Sequence, residues 1–234
     1  MSEYILSAVH IEKSYGQKKI LTDVNINIRP GEIYGLIGKN GSGKTTFLRI
    51  ITGLITDYKG KVITSQEPED NFRVSAVIGS PSLYLNMTAY DNLKIQSMLL
   101  GYKDDRIIKD SLELVGLENS RVKIKNFSLG MTQRLRLAAA LISSPKLLIL
   151  DEPINGLDPD AIAGLRHLLT DLNRERKITI IISSHILGEL EHTACRFGIL
   201  HDGMIRKEIT SKELKISGIS LEELYLQNTY KGGV

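Results

Sequence analysis

Gly38, Lys39, Asn40, Gly41, Ser42, Gly43, Lys44, Thr45 and Thr46 follow one another in the spacing G-x-x-x-x-G-K-[ST]. Glycines at this spacing let successive backbone N–H groups turn inward around phosphate oxygens, where a side chain would obstruct the approach. The helix that follows aims the positive end of its dipole at the same anion. Lys44 is long enough to reach the β- and γ-phosphates, and the Thr45 hydroxyl is a hard ligand for Mg2+. The bland reading is a glycine-rich turn. The flanks decide against it: EIYGLIG before the loop reads as a buried strand, and KTTFLRIITG after it as a helix stopped at Gly53. The chain is expected to bind a nucleoside triphosphate.

A metal-dependent nucleotide site also needs carboxylates. LLILDEP supplies two at the C-terminal end of an apolar run, where open α/β sheets gather their ligands. Asp151 is expected to hold Mg2+ through its water shell. Glu152 is placed to orient the attacking water or accept its proton. A second apolar run, KITIIISSH, ends at His185, which then emerges on the same sheet edge and can meet a γ-phosphate. His10, His167, His192 and His201 have no comparable placement and are assigned no role.

Ser128 and Gly130 in FSLGMTQRLRLAAALI open a helix whose apolar face carries Met131, Leu135, Ala138 and Ile142. A serine and a glycine at a helix start form an anion site without the lysine of the first loop. One chain has no evident way to grip a single phosphate with both loops. A head-to-tail dimer does, each nucleotide lying between one subunit's glycine loop and the other's serine loop.

These groups must be held by a scaffold, and the 234 residues suffice for one large domain with a substantial core. The first part alternates apolar and polar residues in YILSAVHIEKSYG and KILTDVNINIR, as half-buried strands do. GKVITS and VSAVIG are further strands, and residues 86 to 144 turn mostly helical. Thr88 with Asp91 forms an imperfect capping box, and Asp104 and Asp105 suit another helix start. KLLILDEP and KITIIISSH are near-continuous apolar runs of the kind buried on both faces of a parallel sheet.

The expected fold is therefore α/β: a P-loop NTPase core with a mainly parallel sheet, an N-terminal antiparallel β subdomain and an inserted α-helical subdomain. Residues 1–85 and 145–215 make the core, 86–144 the helical part and 216–234 a short C-terminal helix and tail, in which no chemistry is legible. A net charge of +3, from 30 basic against 27 acidic residues, argues against nucleic acid as a partner. The single cysteine, Cys195, cannot form an internal disulfide and is expected to pack in the interior. The N-terminus does not read as a signal peptide, and no run approaches the ~18 apolar residues that span a bilayer.

Five motifs in this order resemble the ATP-binding subunit of an ABC transporter over nearly the whole chain. GKNGSGKTT is similar to the family's Walker A loop, FSLGM to its signature loop and LLILDEP to its Walker B strand. NGLDP, residues 155 to 159, is similar to the D-loop, and SSH to the switch histidine loop. Within the family, SLGMTQRL, with Leu129 where many members have a second glycine, looks like the group that exports lantibiotic and bacitracin-like peptides or confers immunity to them. The resemblance implies ATP and Mg2+ as cofactors, Tyr15 as the aromatic stacked on adenine, and ATP-driven dimer closure reversed by hydrolysis. It further implies a second ATPase subunit, as a homodimer, and a membrane permease docked near residues 79–100. The chain would then be cytoplasmic, held at the inner face of the membrane by that permease.

The resemblance also places a metal-contacting glutamine where this chain has Gly79, ahead of Pro81. Glycine offers no side-chain oxygen, so Gly79 is expected to weaken Mg2+ coordination. Two other readings stay open: a non-transport ABC ATPase acting on ribosomes or another macromolecular complex, and a P-loop kinase. The kinase leaves the serine loop and NGLDP without a purpose. A degenerate subunit with slow turnover is disfavoured, since Lys44, Asp151, Glu152 and His185 are all present.

Overall fold

The computed structural model describes residues 3–65, 73–79, 83–118 and 121–230. Pro81 of the expected docking turn and the last four residues of the tail lie outside the described residues. The chain begins with β1 (Leu6–Tyr15) and β2 (Lys18–Ile28), an antiparallel hairpin closed by the Tyr15–Lys18 pair. β3 (Ile33–Ile37) is buried at every residue and runs into the glycine loop and α1 (Lys44–Ile51). β4 (Lys59–Thr64) then pairs antiparallel with β1, and β5 (Val74–Val77) starts the return to the sheet. α2 (Ala89–Leu99), α3 (Arg106–Leu114) and α4 (Leu129–Leu141) intervene between β5 and β6 (Leu147–Asp151). α5 (Pro159–Arg176) crosses from β6 to β7 (Thr179–Ser184). The short α6 (Leu187–Glu191) leads to the hairpin of β8 (Arg196–His201) and β9 (Met204–Thr210), and α7 (Ser211–Ser217) and α8 (Leu221–Thr229) close the described chain.

Among the described residues one mixed sheet runs β4-β1-β2-β9-β8-β3-β7-β6-β5. Its central strands β8, β3, β7, β6 and β5 are parallel. β9 connects them to the antiparallel β1–β2 end through the parallel pair Asp23 with Met204 and through the Thr22 and Asp23 N–H groups, which donate to the Gly203 carbonyl. The alternation of side chains along a strand divides the core in two. Leu147 and Ile149 of β6 pack with Phe47, Leu48 and Ile51 of α1 on one face. Leu148 and Leu150 pack on the other face with Leu135 of α4 and Leu165, Leu169 and Leu172 of α5. Each such side chain, taken fully out of water, contributes about 1.5–3 kcal/mol, which makes β6 and its Asp151 among the most firmly held parts of the molecule.

Three local expectations turn out differently in detail. The Thr88–Asp91 box closes fully, Thr88 Oγ1 accepting from the Asp91 N–H at 3.2 Å and Asp91 from the Thr88 N–H at 3.3 Å. Aspartate is long enough for this role here. Asp105, although it precedes α3, makes no side-chain cap; its carboxylate instead accepts from the Tyr90 hydroxyl at 2.8 Å and pairs with Lys94, tying α3 to α2. Those two donors hold the Asp105 carboxyl below its usual pKa. Cys195, expected inside, is exposed; its thiol donates to the Ile33 carbonyl at 3.4 Å, and partial desolvation raises its pKa. It stands at the residue before β8, where the chain has not yet entered the sheet.

Candidate functional site

The glycine loop owes its shape to close approach as much as to backbone freedom. A Cβ on Gly38 would lie 2.4 Å from Ser42 Oγ and 2.6 Å from the Leu200 carbonyl oxygen, so only glycine lets the loop fold back on itself. Gly43, the N-cap of α1, has φ +107, and a Cβ there would lie 2.7 Å from Leu21 Cδ2. That contact also seats the β1–β2 hairpin, with Tyr15 near its tip, against the loop. Tyr15 is half exposed, with the Lys13 ammonium 5.2 Å from its ring centre. Lys39, Asn40 and Gly41 are exposed along the rim, and Thr46 is half buried in the first turn of α1.

Lys44 is 5% exposed, an expensive place for an ammonium without partners. It donates to the Gly38 carbonyl at 2.6 Å and the Lys39 carbonyl at 3.3 Å, and its nitrogen lies 3.0 Å from Glu152 Oε1. The geometry of the last contact is that of an ion pair rather than an aligned hydrogen bond, and Glu152 Oε1 has no hydrogen-bond partner among the described residues. Ser42 Oγ is likewise buried without a partner among the described residues.

From the other side of the loop come the strand ends. Thr45 Oγ1 donates to Asp151 Oδ2 at 2.8 Å, and Ser183 Oγ donates to Asp151 Oδ1 at 2.6 Å. Ser183 Oγ also accepts from the Glu152 N–H at 3.0 Å, and so sets the direction in which the chain leaves β6. Glu152 takes a left-handed backbone, φ +51, which is rare for a side chain of its size. Its Oε2 lies 2.7 Å from His185 Nδ1 and accepts from the His185 N–H at 3.4 Å. Lys44, Thr45, Asp151, Glu152 and His185, drawn from three elements, thus form one connected group. Ser183 was missed as a member; the signal was a serine at the end of an otherwise apolar strand, which the fold buries completely.

The group fits Mg2+. Thr45 and Asp151 present adjacent hard oxygen donors, and among the described residues no cluster of three His, Cys, Asp or Glu offers an all-protein cage. One carboxylate, one hydroxyl, water and substrate phosphate is a donor set this ion accepts. Ser128 and Gly130 lie elsewhere. Ser128 Oγ is exposed and caps α4, accepting from the Met131 N–H at 3.1 Å. A Cβ on Gly130 would lie 3.0 Å from Ala161 Cβ, so the start of α4 sits on α5. No hydrogen bond joins either residue to residues 38–46 among the described residues. Gly79 has φ +68, so a side chain placed there carries backbone strain, although none of the described residues other than its chain neighbours would come within 4 Å of its Cβ.

A glycine-rich loop between a buried strand and a helix, with an aspartate and a glutamate at the end of β6 brought to its lysine and threonine, is the arrangement of a P-loop nucleoside triphosphatase. The family profile for ABC transporters matches residues 21–155, and the chain belongs to that family. It is 40% identical to the bacitracin transport ATP-binding protein BcrA of Bacillus licheniformis, over 98% of this chain and 78% of that one. It is 44% identical to the lantibiotic transport ATP-binding protein SrtF of Streptococcus pyogenes, over 94% and 96% respectively. The solved ATP binding subunit of an ABC transporter superposes with a TM-score of 0.80 at 30% identity, covering 97% of this chain and all of that one. The dimeric post-hydrolysis state of the ATP-binding cassette MJ0796, bound to ADP and Pi, superposes with a TM-score of 0.76 at 25% identity, over 88% and 98%. The chain is the ATP-binding, ATP-hydrolysing subunit of an ABC transporter. No helix among the described residues is long and apolar enough to cross a membrane.

Proposed function

We propose that the chain hydrolyses ATP at sites shared by two copies arranged head to tail, and that this cycle powers a separate permease that exports a peptide. The observation that carries the reading is the division of the site. Lys44, Thr45, Asp151, Glu152 and His185 are joined by contacts of 3.0 Å or less, while Ser128, a second anion-binding helix start, is exposed and apart from them. A second copy can bring its Ser128 and Gly130 to the nucleotide; the same copy cannot without unpacking α4 from α5.

In this reading the loop from Gly38 to Thr46 cradles the phosphates, and Tyr15 offers its ring to adenine. Lys44 transfers its ammonium from Glu152 to the β- and γ-phosphates, which frees the Glu152 carboxylate to orient the attacking water. His185, held through Nδ1, keeps Nε2 for the γ-phosphate. Thr45 and Asp151 hold Mg2+, which when bound neutralises charge on the phosphate oxygens. Loss of the γ-phosphate removes a bridge between the copies, and the difference in dimer affinity between ATP and ADP states is the source of work.

The core is assigned to residues 1–85 and 145–215, the helical subdomain to 86–144 and the terminal helix and tail to 216–234. Tyr84, Leu85, Met98 and Leu99 expose apolar surface at both ends of the 79–100 segment, which supports permease docking there and hence a cytoplasmic position at the membrane's inner face. The printed roles of the bacitracin and lantibiotic relatives support a peptide substrate. Glu152→Gln, which keeps the shape of the site and slows hydrolysis, is expected to accumulate an ATP-bound dimer on size exclusion with light scattering. A Glu152→Gln chain that stays monomeric with ATP, even alongside its permease, would overturn the shared site.

A further inference from the structure

α8 is remote in sequence from every motif named above, yet it reaches the phosphate loop. Its N-terminus is fixed twice: Ser220 and Glu223 form a capping box, and the Leu221 N–H donates to Glu191 Oε2 at the end of α6 at 3.3 Å. Leu221 and Leu224 are buried against the core, 0% and 5% exposed. The next residue round the helix, Tyr225, comes to lie in the wall of a cavity of about 280 Å³. Its other walls are Ile37 at the end of β3, Gly38, Lys39 and Asn40 of the loop, His185 after β7 and Leu187 at the start of α6. The Tyr225 ring packs at the margin of the apolar core, as does Leu187.

We propose that Tyr225 is a positioning residue for the γ-phosphate end of the nucleotide site, acting through His185 and the first half of the phosphate loop. This rests on the assignment of those two groups to the nucleotide. His185 is one-third exposed and is tethered on one side by Glu152. It lines the same cavity as Asn40 and Tyr225, and an aromatic ring in that wall limits the positions available to the imidazole and to Asn40. A ring does this at low entropic cost, since it has two side-chain torsions to fix. α8 is thereby attached to the nucleotide state: when phosphate occupies the loop, the cavity wall and the helix behind it must adapt together.

The chain contains no tryptophan, so Tyr225→Trp installs a single emitter in that wall. Its emission is expected to change saturably with ATP, tracking binding measured by calorimetry, while Gln227→Trp on the exposed side of the same helix stays silent. In steady-state hydrolysis by the full chain, Tyr225→Ala is expected to lower kcat about tenfold with KM for ATP moved less than about threefold, and Tyr225→Phe to restore the rate. A Tyr225→Trp chain that binds ATP without any change in emission would overturn the proposal. So would a Tyr225→Ala chain with wild-type kcat, or one whose loss of rate merely follows its loss of melting temperature, as Leu224→Ala should behave. If Tyr225→Ala does not fold, the tryptophan variant decides. Failure of the wild-type chain to bind ATP would instead overturn the site assignment beneath the proposal.

Discussion

Glu152 is the residue on which the candidate site turns. Its carboxylate lies 3.0 Å from the Lys44 ammonium and 2.7 Å from His185 Nδ1, so the three groups that the proposed function sets around a γ-phosphate contact one another directly. The left-handed backbone at Glu152, tied down by Ser183, brings the carboxylate between Lys44 and His185. Gly79 raises the opposite issue, a residue with nothing to offer the metal. We expect Gly79→Gln to lower the Mg2+ concentration for half-maximal ATPase. The same change should destabilise the fold by about 1–2 kcal/mol, since φ +68 disfavours a side chain. Titration of Mg2+ and chemical denaturation on the same preparations check both halves; an unchanged Mg2+ midpoint would remove Gly79 from the metal's account.

At the scale of elements, β3, β8 and β9 are locked by a buried polar group rather than by apolar contact alone. The Tyr34 hydroxyl donates to Glu208 at 2.8 Å, and Arg196 stacks 4.9 Å from its ring while pairing with Glu32 at 2.6 Å. Burial pushes the Tyr34 hydroxyl well above the ordinary tyrosine pKa. Gly198 on the neighbouring strand leaves room for this hydroxyl, which would lie 1.9 Å from a Cβ there. Gly198→Ala is therefore expected to cost about 1–3 kcal/mol through overpacking, read as a lower denaturation midpoint, with the strand ends that carry the site displaced. Wild-type stability in that variant would mean the strands part more easily than their packing implies.

At the scale of the molecule, the proposed shared site requires one chain to contribute two half-sites to two different nucleotides. A site completed by a second copy makes ATP turnover depend on the square of chain concentration when the dimer is scarce. The rate per chain should rise in proportion to concentration and then level off. A rate per chain that is constant from the lowest measurable concentration would point to a complete site in a single copy. Adding permease should move the plateau to lower concentration, because two docked copies are held at high effective concentration.

Much of this is legible in the sequence alone, for a physical reason. Phosphate cradling needs glycines, a lysine and a hydroxyl at consecutive positions, and a strand buried on both faces needs an unbroken apolar run. Both are local demands that leave contiguous marks, as in residues 38–46 and in β6 and β7. The Thr88–Asp91 cap is legible on the same ground. Contacts between distant segments leave no such mark. Ser183 beneath Asp151 and Glu152, Asp105 drawn from its own helix to Tyr90 and Lys94, and Tyr225 beside the phosphate loop each depend on where the sheet and its covering helices bring the chain together. Residue type and spacing suffice to say which chemistry the chain carries; only tertiary packing selects which side chains aim and confine it, because that choice is made across tens of residues by the fit of one element against another.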